Sequence, residues 1–233
     1  MNQIPEQLAR VRERIDAAAT ACGRPPGDVH LLAVSKTKPA SDVRSAWQAG
    51  QRAFGENYLQ DALPKIDALR DLPIEWHFIG HLQSNKTASI AAHFDWVHAV
   101  DQLKHAQRLS DQRRDDQPPL QVCLQVNLSG EASKGGVPAD EAGELAHAIA
   151  RLPRIRLRGL MVLPAPTTDT GEQRAVFRRL RELQQCLVAD GLDLDTLSMG
   201  MSGDMESAIA EGATIVRIGT DIFGARPARP EQP

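Results

Sequence analysis

Lys36 stands one residue past the apolar run Leu31-Leu32-Ala33-Val34, after Ser35, where a short strand would deliver its amine to a partly dehydrated rim. Such surroundings disfavour the ammonium and free the amine to attack a carbonyl. The alternative is a solvated loop pair formed with Lys38. A second group sits near the C-terminus, where the apolar run containing Leu197 ends in Ser-Met-Gly-Met-Ser-Gly-Asp and a short helical pattern, MESAIAEG, begins at once. Ser202 and Gly203 there can supply a hydroxyl and backbone N–H donors, Asp204 can cap the helix, and Gly219-Thr220 after the next apolar run can add more. Donors of this kind bind phosphate, although capping and turn chemistry alone would use the same residues. Third, Arg217 lies inside the run TIVRIG, where a guanidinium is costly to bury unless something accepts its hydrogen bonds. A cofactor ring nitrogen or a carboxylate such as Glu206 or Glu211 could do so.

Other candidates carry weaker signals. Asn57 and His81 end apolar runs, with Tyr58 just beyond the first. His77, His81, His93 and His98 have no metal-ligand spacing, and no GxSxG elbow marks a hydrolase triad, so no metal and no classical triad is expected. Cys22, Cys123 and Cys186 form no CxxC pair; a reducing compartment and plain burial are the expectation.

The elements that must position these groups alternate regularly. An amphipathic helix led by Ile4, Leu8, Val11 and Ile15 comes first and stops at Gly23. Eight apolar runs follow, at 30–36, 52–57, 75–81, 96–100, 120–127, 156–163, 196–202 and 214–220. Helical patterns such as 39–50, 140–152 and 172–191 lie between them. Continuous hydrophobicity fits parallel strands covered by helices. Eight βα units after one extra helix predict an α/β fold, a single (β/α)8 TIM barrel, with a doubly wound open sheet as the alternative. No GxGxxG follows any strand, which counts against a dinucleotide fold. The length of 233 residues suits one barrel domain. Residues 111–119 read as a solvated loop and 225–233 as a frayed tail. In a barrel the strand C-termini carry the chemistry, and all the singled-out residues fall there.

Composition narrows the function. A net charge of −3, with 24% charged and 42% hydrophobic residues, is ordinary for a globular chain and offers no basic surface for nucleic acid. The N-terminus lacks a signal peptide and no stretch reaches membrane-spanning length, which points to the cytoplasm.

Several long, ordered stretches match one family: LLAVSKTKP (31–39), FGENYLQ (54–60), WHFIGHLQSNK (76–86), VNLSGEASKGG (126–136), GLMVLP (159–164), LSMGMSGDMESAIAEGAT (197–214) and VRIGTDIFG (216–224). The sequence resembles the pyridoxal phosphate homeostasis proteins, the YggS/PROSC group, whose barrel is like the N-terminal domain of alanine racemases. The resemblance implies that Lys36 binds pyridoxal 5′-phosphate (PLP) as a Schiff base. It places Ser202, Gly219 and Thr220 at the phosphate, with the Met199–Ser202 turn around them, and Arg217 at the pyridine nitrogen. Asn57 and His81 belong to motifs near the cofactor.

That assignment gives each of the three suspicious places a part of the cofactor to hold. An arginine facing the ring nitrogen donates only and keeps that nitrogen unprotonated, so the ring is a poor electron sink. Two-domain racemases of this fold bring a second acid/base from another domain, which this sequence lacks. The expectation is therefore a carrier with no catalytic residues that holds PLP, and related B6 vitamers, and supplies apo-PLP enzymes. A PLP-dependent racemase or decarboxylase is the alternative, and a Schiff-base aldolase ranks last because it leaves Arg217 idle. A monomer suffices for this role. Lys134 and Lys38 remain open as second aldehyde sites.

Overall fold

The structure, a computed structural model, describes residues 3–129 and 135–224. Lys134 and the tail 225–233 lie outside the described residues. Among the described residues nine strands are formed: β1 (His30–Val34), β2 (Ala53–Glu56), β3 (Glu75–Phe78), β4 (Trp96–Val100), β5 (Leu120–Asn127), β6 (Val137–Pro138), β7 (Ile155–Met161), β8 (Thr196–Ser198) and β9 (Ile215–Ile218). All pairings are parallel. They run β1-β2-β3-β4-β5-β7-β8-β9, and β9 returns to β1 with His30 opposite Ile215 and Ala33 opposite Ile218. Eight strands thus close a barrel, and the open-sheet alternative falls. The two-residue β6 pairs only with the end of β5, outside the ring.

Nine helices are formed among the described residues: α1 (Ile4–Ala21), α2 (Ala40–Gln48), α3 (Leu59–Ala68), α4 (Thr87–His93), α5 (Leu103–Gln112), α6 (Ala142–Ala150), α7 (Thr170–Ala189), α8 (Met205–Ala210) and α9 (Thr220–Phe223). Helix α1 forms as its periodicity predicts, burying Ile4, Leu8, Val11, Ile15 and Ala19. It packs against α2, α8 and α9. Helix α7 starts where Asp169 accepts hydrogen bonds from the N–H groups of Gly171 and Glu172 at 2.7 and 3.0 Å. Residues 111–119 are only partly a loop, because α5 runs on to Gln112. No described helix is long and apolar enough to cross a membrane.

Two layers of core result. The larger lies between strands and helices and includes Phe54, Phe78, Phe94 and Phe177. The smaller fills the barrel with Leu32, Val34, Ile79, Trp96, Ala99, Cys123, Met161 and Ile215. Of the three cysteines only Cys123 is buried; Cys22 and Cys186 are exposed, so burial accounts for one thiol and not the others. Inside the barrel, burial pushes the Cys123 thiol up to about 12 and keeps it protonated.

Candidate functional site

The apolar runs outlast the strands. β1 stops at Val34, and the next residues turn over the rim. Ser35 is buried, and its hydroxyl donates to Glu56 Oε1 at 2.6 Å. Thr37 follows with φ 64°, in the left-handed region that β-branched residues rarely adopt. Lys36 is held between a pinned residue and a strained one, half-buried. Beneath it lies a group that sequence reasoning missed. Lys65, on α3, donates to Glu56 Oε1 at 2.6 Å and to the Ser35 carbonyl at 2.8 Å. Both partners of this ion pair are nearly sealed from water, Lys65 at 5% side-chain exposure and Glu56 at 0%. Burial raises the Glu56 carboxyl above its ordinary value, and the Lys65 charge opposes that rise.

A cavity of about 350 Å³ opens at the C-terminal end of the strands. Six of the eight residues singled out from the sequence line it: Lys36, Asn57, Ser202, Arg217, Gly219 and Thr220. The other two do not. Met199 is fully buried in the outer core, and His81 is exposed outside the cavity wall. The Asn57 loop is set by a close approach: a Cβ on Gly80 would lie 2.0 Å from the Asn57 carbonyl oxygen, so only glycine lets the loops after β2 and β3 meet. Lys38 also lines the cavity, and its ammonium donates to the Phe223 carbonyl at 2.6 Å.

Opposite Lys36, the loops after β8 and β9 face each other. Asp204 does not cap α8 through its side chain; instead Asp204 Oδ1 accepts from the Met201 N–H at 2.6 Å and shapes the Met201–Gly203 turn. A clasp from the N-terminal helix joins the two loops. Arg14 Nη1 donates to Asp221 of α9 at 2.7 Å, Arg14 Nη2 to Glu206 of α8 at 2.8 Å and, more weakly, to the Ser202 carbonyl at 3.5 Å.

Arg217 is buried in the floor of the cavity. Neither carboxylate offered by the sequence is its partner. Glu206 pairs with Arg14, and Glu211 pairs with Arg174, Arg178 and Arg181. Arg217 donates instead from Nη1 to Ser198 Oγ at 2.8 Å and from Nη2 to the Val162 carbonyl at 2.9 Å. With neutral acceptors only, burial pulls its guanidinium down to about 10, which still leaves it cationic at neutral pH. Further N–H groups of the guanidinium remain for the cavity it lines.

His98 lies under Arg217, its Nδ1 2.7 Å from the same Ser198 oxygen. Burial, then the charges of His77 and Arg217, hold it well below the ordinary 6.5, so it is neutral in the folded protein. Unfolding returns it to water. Below about pH 6.5 the unfolded chain then binds more protons than the native one, and stability falls by about 1.4 kcal/mol per pH unit until native His98 is itself protonated. Chemical denaturation between about pH 7 and pH 5 should show this decline. His98→Gln should flatten it, and an unchanged slope would assign the decline to other groups.

The residues fit PLP in three respects. The volume falls within the usual range of small-ligand sites, about 300–1,000 Å³. Lys36 provides an amine, Ser202 with Gly203 and Gly219 with Thr220 provide hydroxyl and N–H donors, and Arg217 provides a buried cation with unsaturated donor capacity. Gly203 has no atom within 4 Å of where a Cβ would stand, so its backbone faces open space. No grouping of three or more metal-ligating side chains occurs among the described residues.

The model of the family "Alanine racemase, N-terminal domain" matches residues 7–227. A pyridoxal phosphate homeostasis protein of Pseudomonas aeruginosa is 61% identical over 226 residues, covering 97% of both chains. One from Escherichia coli is 54% identical, covering 97% of this chain and 98% of its own. The structure of PipY from Synechococcus elongatus with PLP bound is 39% identical at a TM-score of 0.86, covering 95% of this chain and all of that one. Alanine racemase of Corynebacterium glutamicum, at 21% identity and TM-score 0.66, shares the fold over 62% of its chain.

Proposed function

This chain belongs to the pyridoxal phosphate homeostasis proteins, built on the alanine racemase N-terminal barrel, and from that premise we propose that it holds PLP reversibly on Lys36 and supplies it to apo-enzymes. The carrying observation is the convergence of Lys36, Arg217 and the two donor loops on one cavity. Bound there, PLP would offer an aldehyde to the Lys36 amine, and their condensation to a Schiff base would release water. Ser202, Gly203, Gly219 and Thr220 take the phosphate. Arg217 donates to the ring nitrogen and, being cationic, leaves no proton there, which weakens the ring as an electron sink. Asn57 would contribute to the same cavity wall from the loop after β2. Met199 acts at one remove, packing under the turn, and His81 stands outside the cavity.

A carrier is favoured over an enzyme by what lines the cavity. Among the described residues no Tyr, His, Cys, Asp or Glu does so, and the second amine in the wall, Lys38, donates to the Phe223 carbonyl, whereas proton exchange on both faces of a substrate needs a second acid/base besides Lys36. Tyr58, the one tyrosine, is 52% exposed and outside the wall. Unpaired cysteines fit a reducing compartment such as the cytoplasm, and the protein acts there as a monomer that also accepts related B6 vitamers carrying an aldehyde.

The test is to mix purified protein with PLP, desalt, and record the visible spectrum, then add free amino acids. A retained Schiff-base band with no racemised or decarboxylated product is the expected result. No band sinks the cofactor assignment and reopens the aldolase alternative; turnover of an amino acid sinks the carrier.

A further inference from the structure

The polar groups inside the barrel form one continuous file. Arg217 Nη1 donates to Ser198 Oγ at 2.8 Å, and Ser198 Oγ lies 2.7 Å from His98 Nδ1. His98 Nε2 lies 2.8 Å from His77 Nδ1, and His77 Nε2 lies 2.7 Å from Glu75 Oε1. The upper end lines the proposed PLP cavity. The lower end, Glu75 with His77, lines a second cavity of about 720 Å³ among the first residues of the strands, at the opposite mouth of the barrel. The Glu75 side chain is 51% exposed there, so water reaches that end. Between the ends, Ser198 and His98 are fully buried and His77 nearly so.

The two ends dictate the direction of every bond between them. A guanidinium only donates and an ionised carboxylate only accepts, while a hydroxyl and a neutral imidazole can do one of each. The His77 hydrogen bond holds the Glu75 carboxyl below its ordinary value, which keeps it ionised. In the resting state Ser198 therefore donates to His98 Nδ1, His98 Nε2–H donates to His77 Nδ1, and His77 Nε2–H donates to Glu75. Each donor points away from the cofactor site.

We propose that Glu75, His77, His98 and Ser198 are positioning residues that hold Arg217 through this polarised file, and that proton uptake at His77 loosens its hold. The role toward the cofactor rests on the function proposed above. One proton enters from solvent. Before uptake His77 and His98 each carry one proton, on Nε2; afterwards His77 carries two, and His98 carries its single proton on Nδ1. Ser198 Oγ then accepts from Arg217 and His98 together and no longer donates to the ring. A shared acceptor and a new cation inside the barrel both weaken the placement of Arg217.

The charges around His77 set the balance. Glu75 on its own strand and Asp95 before β4 bring carboxylates close to it, while His98 on β4 is held neutral by burial and Arg217 on β9 is cationic. β2 offers it only Gly55, the residue in register with it. Cys123 on β5 stays protonated and neutral. At the lower mouth His30, Arg52 and Arg158 line the same cavity, with Arg158 paired to Asp195. Arg158 also lies over Trp96, whose ring stacks on His77 at 5.4 Å and 5°.

Nitrogen-15 NMR of histidine side chains in the cofactor-free protein reads the tautomers directly. The expected result is Nε2–H on both rings at high pH and, as the pH is lowered, a cationic His77 with neutral His98 switched to Nδ1–H. Glu75→Gln, at an exposed position, should move the switch to lower pH. In parallel, PLP dissociation from the wild type should rise at least about threefold, roughly 0.6 kcal/mol, over the same pH step, and the step should vanish in His77→Gln. A His98 tautomer that never changes in a protein that retains PLP overturns the relay alone, as does an identical pH profile in wild type, His77→Gln and Glu75→Gln. Failure to retain PLP at every pH, with the tautomer switch intact, overturns the cofactor reading and with it the relay's role toward PLP.

Discussion

Lys36→Ala is expected to emerge from incubation with PLP and desalting without a Schiff-base band, its affinity lowered at least about a hundredfold, roughly 2.7 kcal/mol. The effect follows from how the amine is delivered. Ser35 is anchored by its hydroxyl to Glu56, Thr37 is held in a conformation its side chain disfavours, and Lys36 stands between them at the cavity wall. Lys36→Arg separates covalent from electrostatic holding. It keeps the positive charge but cannot condense with an aldehyde, so it should lose the band as completely as alanine does. The phosphate donors and Arg217 remain in both variants, so weak, rapidly lost binding should persist in equilibrium dialysis. A band that survives in Lys36→Ala would move the Schiff base to another lysine, Lys38 in the cavity wall or Lys134, and would refute the assignment.

Lys65→Met should cost about 3–5 kcal/mol, the usual consequence of leaving one charge of a buried pair uncompensated. Glu56 is fully sealed, its carboxyl already raised by burial, and Lys65 supplies the opposing charge. Methionine fills similar space without that charge. The urea midpoint should fall with an unchanged slope, and the loss should shrink in the double variant Glu56→Gln/Lys65→Met, where no ion is left stranded. A single variant within about 1 kcal/mol of wild type would mean that Glu56 takes up a proton at little cost, and would contradict the role given to the pair.

The barrel was legible because most strand residues are buried and read as short, mainly apolar runs, although Arg156 on β7 is exposed. Run ends were less informative. Met199 after β8 and Ile79 after β3 stay buried past the last ladder pair, Met199 in the outer core and Ile79 inside the barrel. The three anchors, Lys36, Ser202 and Arg217, stood out because a polar residue at a strand end or inside a strand demands a partner. Identifying that partner needed coordinates. Arg217 meets a serine hydroxyl and a carbonyl from two other strands, not the nearby glutamates. Lys65 was invisible for the same reason: on a helix it resembles any surface lysine until α3 is laid over the end of β1. His77 and His98 occupy inward positions of adjacent strands, a period-2 signal present in WHF and WVHAV, but only closure of the ring brings Ser198 to meet them.

The Arg14 clasp bears on when, during synthesis, the protein first becomes able to grip its cofactor. Residue 14 leaves the ribosome long before Glu206 and Asp221, the carboxylates it joins. Lys36 is likewise made early, whereas Arg217, Gly219 and Thr220 come from the last strand and the turn after it. Domains fold as units once enough of the chain has emerged, and here the first helix has only α2 to pack on until α8 and α9 exist. On the function proposed above, a half-made chain would offer a lysine without a cradle, from which a captured aldehyde could leave again, and the grip would be complete only once the loops after β8 and β9 are joined to the first helix.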